Sequence, residues 1–163
     1  MPNHPEPGPG EESVWDYPRP PALEPTDRRI RVVFNDKTIA DTTNAKRILE
    51  TSHPPAYYLP PDDVATEHLA REDRTTMCEF KGRAVYYTLT VGDHSATQAA
   101  WQYPSPVERY AALQNHFAFY LSKIDAGYVG DEQARAQEGD FYGSWITDDI
   151  VGPFKGGTGT MGW

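Results

Sequence analysis

The sequence predicts a mostly β fold of short antiparallel strands, with one or two short helices and irregular aromatic segments at both ends. Three observations predict it. Apolar residues recur with period two over runs of strand length, the runs are rich in β-branched and aromatic residues, and turn residues separate them closely. With 163 residues, 38% of them hydrophobic and 12% aromatic, the chain can build one core but not two independent ones.

Residues 1–12 alternate Pro, Gly and Glu and cannot offset their ordering entropy, so they are expected as a flexible tail. Residues 13–28 are expected as an extended proline-rich arm. Eight of the 15 prolines lie in residues 1–28, and Trp15 and Tyr17 are costly to leave in water, which makes them anchors.

The core domain is expected over residues 29–130. It starts with Ile30, Val32 and Phe34 on one strand face, a two-residue hairpin turn at Asn35-Asp36, and a strand over 38–41. Strands over 47–51 and 56–59 follow. Pro61-Asp62-Asp63 opens a helical turn or two through Leu69. Thr76, Cys78 and Phe80 alternate with Met77 and Glu79, Lys81-Gly82 turns the chain, and Val85, Tyr87, Leu89 and Val91 share a face. A strand over 96–103 comes next. Ser105-Pro106-Val107-Glu108 has the capping-box arrangement for a short helix to Leu113. Strands over 117–121 and around Tyr128 complete the domain. Residues 131–163 form an extension expected to pack on the core or on a partner. Its part from Gly139 onward holds seven of the 13 glycines together with Phe141, Tyr142, Trp145, Phe154 and Trp163.

Several function classes are excluded. Fifteen Lys and Arg against 24 Asp and Glu give a formal charge of −9, which repels phosphate backbones and anionic membranes; neither nucleic acid nor membrane is an expected partner. The single cysteine, Cys78, allows no intramolecular disulfide and no Cys-rich metal site. No apolar run approaches the roughly 20 residues of a membrane span, and the first residues lack the basic and apolar regions of a secretory signal, so the cytoplasm is the expected compartment. The glycine-rich run from Gly152 to Thr160 is not in P-loop order, and Gly-x-Ser-x-Gly does not occur.

Residues able to carry chemistry cluster in a few segments. His53, ahead of Pro54-Pro55, is held out of the α region and therefore has a rigid direction. Tyr57 and Tyr58 follow on a strand and point to opposite faces, so one is expected buried and the other available. Cys78 alone reads as a small buried hydrophobe, but beside a histidine and a lysine its thiolate would be favoured. Lys81 in isolation reads as a solvated turn residue, and Trp101 and Tyr103 as core.

Taken together, Arg31-Val32-Val33-Phe34-Asn35, Leu49-Glu50-Thr51-Ser52-His53-Pro54-Pro55-Ala56-Tyr57-Tyr58, Thr76-Met77-Cys78-Glu79-Phe80-Lys81-Gly82 and Ala100-Trp101-Gln102-Tyr103-Pro104 resemble the bacterial family known as domain of unknown function 427. The resemblance runs in order from Ile30 to Tyr120. It implies a single antiparallel β-tent-like domain, two short sheets leaning together, with a cleft used for small molecules or thiol redox chemistry. The paired Cys-x-x-Cys zinc site of other β-tent proteins is absent with one cysteine, so no metal and no cofactor is expected. A nucleotidyltransferase role finds no support: behind Gly143-Ser144, Asp148-Asp149 follow too closely.

The expected function is an aromatic-lined small-molecule pocket. Glu50, Tyr57, Tyr58, Lys81, Tyr86 and Trp101 would contact the ligand, with Glu50 orienting His53. Enzymatic chemistry would fall to Cys78 as thiol with His53 as its base or charge partner. The alternative is a non-catalytic interaction module that forms a homodimer through its aromatic terminal segments.

Overall fold

Asn35 and Asp36 both adopt left-handed backbone, with φ of 49° and 62°. This closes the tight hairpin expected of an Asn-Asp pair between two strands. The computed structural model describes residues 6–78, 80–140 and 142–154. The start of the tail (1–5), Phe141, and the end of the extension with Trp163 lie outside the described residues.

In chain order the strands are β1 (Glu12–Ser13), β2 (Ala22–Pro25), β3 (Ile30–Phe34), β4 (Lys37–Thr42), β5 (Lys46–Leu49) and β6 (Ala56–Tyr58). Next come β7 (Leu69–Cys78), β8 (Gly82–Val91), β9 (His94–Gln102), β10 (Ala118–Phe119) and β11 (Ala126–Val129). The last are β12 (Glu132–Gln133), β13 (Arg135–Ala136), β14 (Trp145–Ile146) and β15 (Ile150–Val151). Two four-stranded sheets, ordered β10-β9-β8-β7 and β12-β11-β3-β4, are joined by a three-stranded sheet, β2-β5-β6. All of these pairings are antiparallel.

The expected strands are present, and β7 is longer than the sequence pattern indicates. Its residues Arg71, Glu72, Asp73 and Arg74 hide the strand because it lies at a sheet edge, where charge blocks pairing with other chains. The register with β8 slips between Arg71 and Thr75. There the Glu72 carboxylate leaves the ladder and accepts from Thr88 Oγ1 (2.9 Å) and the Gln98 amide (2.6 Å).

The expected helix from Ser105 to Leu113 is corrected to a six-residue 3-10 segment, Glu108–Leu113, without a side-chain cap. The Val107 amide donates to the Lys81 carbonyl (3.0 Å), which ties this stretch to the β7–β8 turn in place of a free helix start. The segment from Pro61 likewise forms two 3-10 turns, Pro61–Asp63 and Thr66–His68.

The main core lies around β3, where Ile30, Val32 and Phe34 alternate inward. Leu89, Phe119 and Trp145 meet them. A second cluster joins Ile48 and Tyr58 to Ala84, Trp101 and Tyr110. Both terminal segments dock on their own chain: β1 pairs in parallel with β15, and Trp15 Nε1 donates to the Pro153 carbonyl at 2.9 Å. Arg47 clamps the arm with two bonds to the Glu12 carboxylate (2.9 and 3.0 Å) and a further pair to Glu24. No helix among the described residues is long and apolar enough to cross a membrane.

Candidate functional site

Side chains two apart on a strand share a face, and five such pairs converge on one cavity. Ile48 and Glu50 come from β5 and its end, Ala56 and Tyr58 from β6, Thr76 and Cys78 from β7, Ala84 and Tyr86 from β8, and Trp101 and Tyr103 from the end of β9. They enclose about 320 Å³ between the β5-β6 and β7-β8-β9 faces. Register sets the details. Tyr86 stands directly opposite Trp101 on the neighbouring strand, and Cys78 stands opposite Gly82, which has no side chain to cover the thiol.

The walls are aromatic and held in fixed positions. Tyr58 meets Trp101 edge-on with ring centroids 6.0 Å apart, and Trp101 Nε1 donates to the Tyr58 hydroxyl at 3.2 Å. Tyr120 lies 4.6 Å from Trp101, and Thr76 Oγ1 fixes the Tyr86 hydroxyl at 2.7 Å. From the C-terminal side, Gly143 presses on Trp101 so closely that an added Cβ would stand 2.2 Å from the indole ring. With φ of 66° there, that position is reserved for glycine. Tyr142 follows the same path and meets the His53 ring edge-on at 4.5 Å.

Four ionisable groups share this cavity with the tyrosines: Glu50, His53, Cys78 and Lys81. His53 is buried, and its Nδ1 lies 2.8 Å from the Thr51 carbonyl. A carbonyl can only accept, so Nδ1 carries the proton and the ring is fixed. Glu50 directs its carboxylate to Arg19 Nε at 3.5 Å, and its backbone carbonyl takes the His53 amide at 3.0 Å. Lys81 is 9% exposed, with Nζ 6.0 Å from the centroid of the Tyr103 ring. Burial works against its ammonium, but Tyr58, Cys78 and Glu50 more than compensate and hold it above the ordinary lysine value. Burial raises Tyr58 and Tyr103, whose hydroxyls therefore stay neutral.

Of the residues singled out in the sequence, Glu50, His53, Tyr58, Cys78, Lys81, Tyr86 and Trp101 all line this cavity. Tyr57 does not. The strand sends it to the opposite face, into the main core, where its ring lies 5.6 Å from that of Trp145. Lys81 is buried and is not a solvated turn residue. Tyr103, Tyr120 and Tyr142 complete the walls without having been chosen. Tyr103 was open to inference, two residues beyond Trp101 on the same face; Tyr120 and Tyr142 arrive through long-range packing that spacing does not encode.

No group of three or more His, Cys, Asp or Glu among the described residues could hold a metal ion. The family model described as a domain of unknown function (DUF427) matches residues 22–130, a stretch that contains every cavity-lining residue except Tyr142 and Ser144 from the extension. No curated protein matches the chain.

Proposed function

Because the chain belongs to the domain of unknown function 427 family, whose description assigns no activity, we propose its function from the cavity: it binds a small molecule between the two strand faces, with Cys78 presented to the ligand as a thiol. One observation carries this reading. Five strand segments turn same-face pairs, Cys78 among them, toward one space, and the connecting segments add a buried lysine, Lys81, and a fixed imidazole, His53, among the aromatic rings. A packing core has no use for that set, whereas a ligand pocket combines apolar walls with a few convergent polar groups. The volume, about 320 Å³, suits a ligand of one or two rings. Trp101 and Tyr86 would flank its plane, and His53 would act as base or charge partner toward the thiol.

Cys78 reports on both parts of the reading. As the single cysteine, it can be followed by mass spectrometry during iodoacetamide labelling across pH, in wild type and in His53→Gln. Labelling of the folded protein that slows in His53→Gln is the expected result and places both residues in one reactive site. Labelling only after denaturation would remove the thiol chemistry and leave a binding pocket. A folded Trp101→Ala variant that retains every fragment bound by wild type would remove the pocket as well.

A further inference from the structure

Resting on the reading of this cavity as a ligand site, we propose that its ligand is a small planar carboxylate whose charge pairs with Lys81. The starting point is a buried charge with no carboxylate in direct contact among the described residues. Lys81 lies 91% out of solvent and lines the cavity, yet among the described residues no carboxylate reaches ion-pair distance of its ammonium, and its nearest polar partner is the Cys78 thiol. Its one ring contact is with Tyr103. A buried ammonium is costly unless an anion stands beside it, and a neutral thiol supplies no full counter-charge. Glu50, the carboxylate of the same wall, is turned to Arg19 instead.

The position of Lys81 is imposed by the fold and is not the chance direction of a mobile turn. Its carbonyl is held by the Val107 amide at 3.0 Å. The next residue, Gly82, has φ of 113°, which only glycine adopts easily, and its Cα faces the backbone of Ser105 and Pro106. The turn is thereby locked with the lysine stem directed inward under Tyr103.

Chemistry narrows the class of anion. Among the described residues Lys81 is the one Lys or Arg lining the cavity, and no α-helix N-terminus supplies amides to it. One point charge without a nest of N–H donors matches a monoanion better than a phosphate dianion. The remaining walls, Tyr58, Tyr86, Trp101 and Tyr120, suit the flat body of an aromatic acid. The overall charge of −9 opposes anions at long range, so the attraction acts only within the roughly 8 Å over which charges are felt at physiological salt.

Matched probe pairs test the inference: benzoate against benzamide, and indole-3-carboxylate against indole-3-carboxamide, titrated into wild type, Lys81→Met, Lys81→Arg and Cys78→Ala. In wild type the acids are expected to bind at least tenfold more tightly than the amides. Lys81→Met should erase that preference while the unliganded protein melts no lower than wild type, because the change removes a buried charge that no carboxylate contacts among the described residues. Lys81→Arg should keep the preference. Equal binding of acids and amides, lost in Trp101→Ala, would overturn the carboxylate inference and leave the pocket standing. A preference that emerges only in Cys78→Ala would also overturn it, since a thiolate would then be the internal counter-ion. Binding of no probe at millimolar concentration would count against the pocket and the inference together.

Discussion

Tyr57 and Tyr58 are neighbours on one strand and inhabit different environments. Tyr57 belongs to the main core, in contact with Trp145, and its hydroxyl is buried with no well-formed hydrogen bond among the described residues. Tyr58 faces the cavity, and its hydroxyl accepts from Trp101 Nε1. The same residue type thus serves as bulk on one face and as a positioned polar wall on the other. The two regions divide accordingly. Around β3 the packing is apolar and closed, while on the β7-β8-β9 face it stops short and leaves space ringed by polar groups. The alternation that builds a core also builds a site, wherever the facing residues do not fill the gap.

The largest expected contrast comes from the two tryptophans. Trp145 is 1% exposed and donates to the Phe119 carbonyl at 3.0 Å. Trp145→Ala should cost about 3–5 kcal/mol in urea unfolding. Trp101→Ala should cost distinctly less, because one side of the indole already borders empty space. Equal losses would mean that the cavity is as fully packed as the core.

The tyrosine pair sharpens the comparison on a smaller scale. Tyr58→Phe removes the hydrogen bond to Trp101 and should cost about 1 kcal/mol. Tyr57→Phe removes a buried hydroxyl that makes no well-formed hydrogen bond among the described residues and should be neutral or stabilising by up to about 1 kcal/mol. Denaturation midpoints of the two variants give the sign directly, and a large loss in Tyr57→Phe would assign its hydroxyl a role in the core.

The smallest effect concerns the terminal clamp, which belongs to neither region. Hydrogen bonds from Arg47 hold the Glu12 carboxyl below the ordinary glutamate range. A depressed folded-state value means that the stabilisation is complete above the ordinary value and is lost as pH falls through the depressed one. Hydrogen exchange at β1 and β15 should therefore accelerate below about pH 4, while the amides of β3 stay protected. Glu12→Gln should show the same local loosening at neutral pH. If β3 opens in step with β1, the clamp is part of the global fold.

Much of this architecture could be read from local pattern. Ile30, Val32 and Phe34 announced their strand, and Asn35-Asp36 its turn, because both depend on side-chain alternation and backbone preference within a few residues. The edge strand β7 was half hidden, since the charges that protect an edge disguise the strand. The helix after Ser105 failed for the opposite reason: a good local capping signal lost to the long-range bond between Val107 and Lys81. Within the site, the residue types at Glu50, His53, Cys78, Lys81 and Trp101 stood out. Nothing local separated Tyr57 from Tyr58, because alternation places two residues on opposite faces without saying which face is which.

By itself, then, the sequence determined the fold class, the turns, the acidic surface and the set of residues able to do chemistry, all of which follow from composition and spacing over a few residues. Only the tertiary structure decided that five strand segments and the turns beside them bring those residues to one space, that Tyr57 is excluded from it, and that Lys81 is buried there with no carboxylate in direct contact among the described residues. Those outcomes depend on how distant strands pair and on what fills the gap between their faces. Register and packing fix them across separations of up to about 90 residues, and no local preference encodes such distances.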